Sequence, residues 1–174
     1  KYKGEVLRLT LLSAHYKQPL NWTEEIIEQN SKMIDRLYRV LLELSEVEID
    51  SNLPSDSIME SFLDDLNTPK VIAKLNEEAN DASSASDERK KEIKKNLLSA
   101  GKILGILEDD PGNWLGYNQK DTENAEEIER LINERNEARR SKNFNLADTI
   151  RDTLKDKGIE IEDTDKGTIW RKSR

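Results

Sequence analysis

The sequence predicts a mainly α protein: a helical bundle followed by a small α+β domain made of a helical hairpin and a C-terminal β-hairpin. Three observations predict it. Apolar residues recur at three- and four-residue spacing through most of the 174 residues, as amphipathic helices require. The stretch 109–124 (DDPGNWLGYNQKDTEN) is so rich in turn-forming residues that it reads as a boundary. After Gly158 the apolar spacing falls to two, the period of a strand with one buried face. The expected domains are a bundle over 1–108, a linker over 109–124 and an α+β domain over 125–174.

Val6, Leu7, Leu11 and Leu12 place a first helix over 4–14. The chain opens inside this pattern without an initiator methionine, as expected of a piece of a longer protein. Pro19 and Asn21 break the pattern. Asn21 or Thr23 then caps a long helix whose first turn carries Glu24 and Glu25, and whose apolar face runs from Ile26 to Leu42. Ile58, Met59, Phe62, Leu63 and Leu66 mark a third helix. Asn67-Thr68-Pro69 reads as a stop followed by a new start, with Pro suited to a first helical turn. Val71, Ile72, Leu75 and Ala79 carry the fourth helix, and Ser83–Ser86 reads as a mobile polar loop. Ile93, Leu97, Leu98, Leu104 and Leu107 define the fifth.

Beyond the linker, Ile128, Leu131, Ile132 and Ala138 line one helix, and Leu146, Ala147, Ile150 and Leu154 line the next. Gly158 is placed to end that helix. Ile159 and Ile161 alternate as a strand, Thr164–Gly167 supplies a turn, and Thr168–Arg171 is the partner strand.

Charged residues make up 37% of the chain and hydrophobic residues 34%, a soluble profile with a thin core. No apolar run reaches the length of a membrane span, so no membrane partner is expected. The cysteine count is zero, which excludes disulfides, thiolate metal sites and thiol nucleophiles and fits a cytoplasmic protein. The single histidine, His15, excludes a His-rich zinc site. Adjacent Asp64 and Asp65 point about 100° apart on a helix and are poorly placed to share an ion. Trp22 and Trp114 read as packing residues.

The net charge of −8 argues against indiscriminate nucleic-acid binding, but residues 1–124 account for all of it; residues 125–174 hold 12 basic and 12 acidic side chains. Two local basic clusters stand out, Arg135/Arg139/Arg140/Lys142 and the four basic residues between Lys166 and Arg174. Basic, aromatic and acidic side chains recur where the tail's elements join, a mixture suited to reading unpaired RNA bases. A guanidinium such as Arg139's donates bidentately to guanine O6 and N7, or to a phosphate. The alternative for Arg139 is a solvated ion pair one turn away. That turn offers Arg135 and Asn136, and no carboxylate. Phe144 either stacks on a base or staples the second helix by packing on Ala147. Trp170 either stacks or fills the core, and core is preferred in so small a domain. Arg171, Lys172 and Arg174 face a phosphate backbone or stay solvated.

Three segments resemble the C-terminal part of the cysteinyl-tRNA synthetase family: GEVLRLTLLSAHYKQPLNWTEE (4–25), FLDDLNTP (62–69), and the tail from Ala138 that ends in GIEIEDTDKGTIW at Trp170. The resemblance implies transfer-RNA recognition by the non-catalytic half of a class I synthetase. In that family a helical bundle leans on the inner corner of the RNA and the terminal domain holds the anticodon. It implies that Arg139, Phe144, Asp148, Asp163, Trp170 and Arg171 contact RNA. Asp148 and Asp163 match acidic residues that the family uses against anticodon bases, and a carboxylate accepts from cytosine N4 or guanine N1 and N2. The family commonly has tryptophan where Phe144 stands. His15, Tyr16 and Lys17 match a segment near the junction with the catalytic half.

The resemblance implies tRNA-Cys and the catalytic domain of the same parent as partners of a monomer. The parent family uses ATP and zinc; this chain lacks the His-x-Gly-His and Lys-Met-Ser-Lys-Ser signatures and all cysteines, so no cofactor, metal or catalytic residue is expected in it, and alone it is expected to be inactive. A competing reading is a protein-interaction module, because Glu137 to Leu154 also resembles the helical hairpin of the UVR motif. That motif ends without an EDTDKGTIW strand pair.

Overall fold

The computed structural model describes residues 2–51, 53–117, 124–164 and 167–172. The chain divides into two compact units, Lys1–Pro111 and Gly112–Arg174.

Five helices build the first unit: α1 (Gly4–Leu12), α2 (Glu24–Glu43), α3 (Asp56–Leu63), α4 (Thr68–Asp81) and α5 (Asp87–Leu104). Their starts are set by local chemistry. Of the two candidate caps for α2, Thr23 is the one used; its side chain accepts from the Ile26 N–H. Asn67 caps α4 by accepting from Lys70 N–H, with Pro69 in the first turn. Ser86 caps α5, which ends at Gly105 in the left-handed region (φ 67). The core comes from the apolar faces of α2, α4 and α5, where Ile34, Leu37, Leu75, Ile93 and Leu97 are fully buried. Each such side chain stabilises the fold by about 1.5–3 kcal/mol. Glu5 ties α1 both to α2 and to the turn beyond α5: it accepts from the Tyr38 hydroxyl (2.9 Å) and from the Leu107 N–H (2.9 Å).

The periodicity misplaces several residues here. On α1 the buried positions are Val6, Leu9 and Thr10, while Leu11 is exposed. Thr10 can be buried because its hydroxyl donates to the Val6 carbonyl (2.8 Å) and accepts from Asn30 (3.3 Å). The third helix stops at Leu63, since Asp65 and Leu66 take positive φ (55 and 52), and Leu63 and Leu66 are left exposed. Asp65 is held there by the Tyr16 hydroxyl (2.8 Å) and the Lys17 amine (2.5 Å). Ala82–Ser84, expected in part as a mobile loop, forms a 3₁₀ turn with Ala82 buried. Trp22 is exposed because it precedes the cap of α2, outside the helix's buried stripe.

The second unit contains all but the first residue of α6 (Pro111–Leu115), then α7 (Ala125–Arg140), α8 (Phe144–Asp156), β1 (Ile159–Thr164) and β2 (Gly167–Lys172). Within the stretch read as a linker, Trp114, Leu115 and Tyr117 are buried, and Tyr117 forms an isolated bridge to Arg171; residues 118–123 lie outside the described ones. Gly158 (φ 71) turns the chain from α8 into β1. The strands pair antiparallel, with Ile161 opposite Trp170, Asp163 opposite Thr168 and Glu160 opposite Arg171. Strand alternation therefore puts Ile159, Ile161, Asp163, Thr168 and Trp170 on one face, and Glu160, Glu162, Ile169 and Arg171 on the other. The first face packs on the helices: Trp170 and Ile159 form one core with Ile128, Ile132, Ile150 and Leu154. The turn residues Asp165 and Lys166 lie outside the described residues, as does Arg174.

Candidate nucleic-acid interface

The site grows from the end of the hairpin core. β1 follows α8 through Gly158 and packs against it, and residues of α8 from Asp148 to Lys155 and of Gly158–Ile161 line one shared cleft. The end of β1 meets the C-terminal half of α7, where Arg135 and Arg139 stand four residues apart on one helical face.

Asp163 occupies that junction. Its Oδ1 accepts from Arg135 Nη1 (2.9 Å) and its Oδ2 from Arg135 Nη2 (3.0 Å), a two-pronged pair. The Thr168 hydroxyl donates to Oδ1 (2.8 Å), and Arg139 Nη1 donates to Oδ2. The hydrogen bonds from Arg135 hold the Asp163 carboxyl well below the usual carboxylate range; partial burial opposes them, and Thr168 and Arg139 reinforce them. Arg135 is buried (7% exposed) whereas the Arg139 side chain is half-exposed (49%). The carboxylate partner for Arg139 that its own helix does not supply thus comes from the strand.

Phe144 opens α8 with its ring 60% exposed, which favours an open aromatic face over a staple. Asn143 caps this helix, accepting from Leu146 N–H (3.3 Å), and Lys142 takes a positive φ (60) in the tight α7–α8 turn. Arg139 and Phe144 therefore flank the same tight turn, one in the last turn of α7 and the other at the start of α8. Asp148 lies one turn further along α8, on the wall of the cleft of about 580 Å³.

Arg151, Asp152 and Lys155 share that wall, and Gly158, Ile159, Glu160 and Ile161 also line the cleft. Among the described residues, Asp148, Arg151, Asp152 and Lys155 make no ion pair and no side-chain hydrogen bond. Composition and motif do not single out Arg151, Asp152 or Lys155. Their three- and four-residue spacing from Asp148 is the signal that could have found them.

Trp170 and Arg171 have other surroundings than an RNA contact needs. Trp170 is 2% exposed and packed in the core, so its ring offers no face to a base; it holds the hairpin that carries Asp163. Arg171 is not free. Its Nε donates to Glu160 (2.8 Å), its Nη2 lies 2.6 Å from the same carboxylate, and its guanidinium sits 5.7 Å from the Tyr117 ring centre. Tyr117 in turn donates to Glu162 (2.5 Å). This second face of the hairpin is knitted internally.

In the first unit, His15 stacks on Tyr16 (ring centres 4.8 Å apart) and lies 3.8 Å from Asp65. Asp64 pairs with Lys70 (3.1 Å) while Asp65 pairs with Lys17, so the two carboxylates face different partners. The residues present do not fit the zinc of the parent family: there is no cysteine and one histidine, and among the described residues no group of three His, Asp or Glu side chains is gathered to hold a metal. Among the described residues no helix is long and apolar enough to cross a membrane.

Two family models match the chain. The cysteinyl-tRNA ligase anticodon binding domain matches residues 121–171, which takes in both hairpin helices and the strand pair, and the DALR domain matches residues 57–108. The strand pair is what the UVR reading lacks, so that alternative is not favoured. The cysteine–tRNA ligase of Parvibaculum lavamentivorans is 45% identical over 172 residues, 97% of this chain and 37% of the relative. Those of Maricaulis maris and Xanthomonas campestris are each 38% identical, over 98% and 99% of this chain. The chain thus spans little more than a third of the length of the curated relatives it matches. On these matches the chain belongs to the cysteine–tRNA ligase family and corresponds to its C-terminal, anticodon-binding region.

Proposed function

We propose that this chain binds the anticodon arm of tRNA-Cys and so supports ATP-dependent cysteinylation by the catalytic domain of its parent, acting as part of a cytoplasmic monomer without a membrane partner. Residues 125–174 form the anticodon-binding domain, 1–108 the bundle that leans on the corner of the RNA, and 109–124 the connection between them. The observation that carries the reading is a half-exposed guanidinium, Arg139, and an exposed aromatic residue, Phe144, on the two helices that flank one tight turn.

The chemistry fits unpaired bases. Arg139 donates to guanine O6 and N7, and a base stacks on Phe144 with about 1–3 kcal/mol. Asp148 accepts from an amino group at the mouth of the cleft and repels phosphate, so it discriminates more than it attracts. Arg151 and Lys155 supply the neighbouring positive charge. The parent's ATP and zinc belong to the catalytic half, and the chain alone is inactive in cysteinylation.

The test is binding of anticodon stem-loops to the 174-residue chain. A cysteine-specific loop binds best, with a salt-sensitive affinity. Arg139→Ala and Asp148→Ala each lose the preference for that loop. Equal binding of all stem-loops by the unaltered chain, or none, sinks the reading.

A further inference from the structure

We propose that the cleft between α8 and β1 holds the sugar-phosphate backbone of the RNA strand whose bases meet Arg139, Phe144 and Asp148: Arg151 and Lys155 each take a phosphate, and Asp148 and Asp152 keep the backbone off their own side. This rests on the function proposed above and deepens it by giving the path of the strand.

Charge spacing on α8 carries the argument. Residues three and four apart on a helix are neighbours; opposite charges there stabilise it and like charges destabilise it. Asp148 and Arg151, and Asp152 and Lys155, stand three apart, yet among the described residues none of the four makes an ion pair or a side-chain hydrogen bond. Asp148 and Asp152, and Arg151 and Lys155, stand four apart and set like charges side by side. Neighbouring charges are used: Lys157 pairs with Glu127 (3.0 Å), and Glu160, the acid that β1 brings to the cleft, accepts from Arg171 (2.8 Å). A helix face that works against its own stability, on the wall of a cleft, is the mark of a ligand site. An anion lying along Arg151 and Lys155 relieves their repulsion.

Position round the helix sets the course of the strand. At about 100° per residue, Phe144, Asp148, Arg151 and Lys155 fall on one stripe, which runs about 16 Å from the exposed aromatic residue toward the end of α8. The basic pair lies on the side of the buried Ala147, Ile150 and Leu154, and Asp148 with Asp152 on the side turned away from them. A strand with one base stacked on Phe144 therefore continues past Asp148 into the cleft. Arg151 and Lys155, four residues and about 6 Å apart along the axis, match the step between neighbouring phosphates of a single strand. The carboxylates beside them repel phosphate and accept from base or ribose donors, so the backbone lies on the basic side and the bases point to the acidic one.

The experiment uses the full chain, a cysteine-specific anticodon stem-loop and the same stem-loop with one anticodon base changed. Affinity measured across a range of salt separates phosphate contacts, read in the slope of log affinity against log salt, from base reading, read in the ratio between the two loops. Arg151→Gln and Lys155→Gln should each lower the slope by about 0.7, weaken both loops by the same factor and leave the ratio unchanged. Arg130, exposed on α7 and no part of the cleft lining, is the control: Arg130→Gln removes the same charge and should shift the slope much less. Helical circular dichroism should be the same for all three variants, since the side chains are exposed. Single methylphosphonate substitutions along the loop then locate the contact. At one position the neutral linkage should weaken binding by the unaltered chain and cause no further loss in Lys155→Gln. A slope shift no larger than that of Arg130→Gln, or additive losses at every methylphosphonate position, overturns the inference while the base preference of the unaltered chain stands. A lost ratio with an unchanged slope assigns the two residues to bases and overturns it too. If the unaltered chain binds both loops equally, or neither, the function proposed above fails and the inference fails with it.

Discussion

Arg135 and Asp163, 28 residues apart, meet as a two-pronged ion pair at 2.9 and 3.0 Å, with the arginine buried beneath the sheet and the carboxylate at its edge. The pair joins the C-terminal half of α7 to the end of β1. It is the main polar tie between the helical hairpin and the strands, and the stability of the second unit should report on it.

Arg135→Met should therefore destabilise the second unit by about 2 kcal/mol, because a charged hydrogen bond is lost and Asp163 keeps only its weaker donors. Amide exchange resolves this from the first unit: the protected β1 and β2 amides should exchange about 30-fold faster, and those of α2 and α4 should not change. Unchanged strand protection would show that the pair contributes nothing.

The same pair predicts acid sensitivity. Asp163 is held below its unfolded pKa, so its contribution is fully present above the ordinary aspartate range and is lost as pH falls from that range toward the depressed value. Strand amide protection should decline over that window, and Asp163→Asn should flatten the decline while lowering protection at neutral pH.

Glu78 of the first unit should contribute to pH dependence in the opposite sense. Burial pushes the Glu78 carboxyl up; Asn96 donates to its Oε1 (2.9 Å), Arg89 lies 3.5 Å from it, and Oε2 is buried with no hydrogen-bond partner among the described residues. An acid with a raised folded pKa binds more protons folded than unfolded, so stability falls as pH rises from the ordinary glutamate range through the raised value. Glu78→Gln should remove that slope and raise neutral-pH stability by about 1 kcal/mol, as measured by melting at pH 5 and pH 8.

Trp170→Ala should cost about 3–5 kcal/mol, enough to unfold so small a unit, whereas Trp170→Phe should keep it folded and keep its RNA affinity. Retained strand protection in the alanine variant would contradict the core role.

Phe144→Ala should change stability by less than about 0.5 kcal/mol, because the ring is exposed, and weaken stem-loop binding by about 5- to 150-fold through lost stacking. Phe144→Trp should strengthen binding. An alanine variant that melts early but binds normally would assign the ring to packing.

Much of the fold is legible in the sequence. Thr23, Asn67 and Gly158 act at helix ends through bonds within a few residues, so a short window of sequence contains the whole cause, whereas the fifth helix, expected to include Leu107, stops at Gly105. The apolar stripes of α2, α4 and α5 are equally legible, since each is several turns long. Short elements are not. In α1 one turn decides between Leu9 and Leu11, and the choice is made by Asn30 of α2 reaching Thr10. α3 is cut at Leu63 with the help of Tyr16 and Lys17, almost fifty residues earlier.

At the site, the sequence by itself determined the family, the order of elements and the set of polar and aromatic residues at their junctions, because composition, period and motif are properties of neighbouring positions. Only the tertiary structure decided which of those residues remain open to a ligand. Register against β2 buried Trp170 and paired Arg171 with Glu160; the docking of β1 on α7 gathered Arg135, Thr168 and Arg139 at Asp163. The physical reason is range. A carboxylate accepts from whatever donors the fold brings within about 3 Å, and those donors lie on strands and helices that no local window of sequence joins.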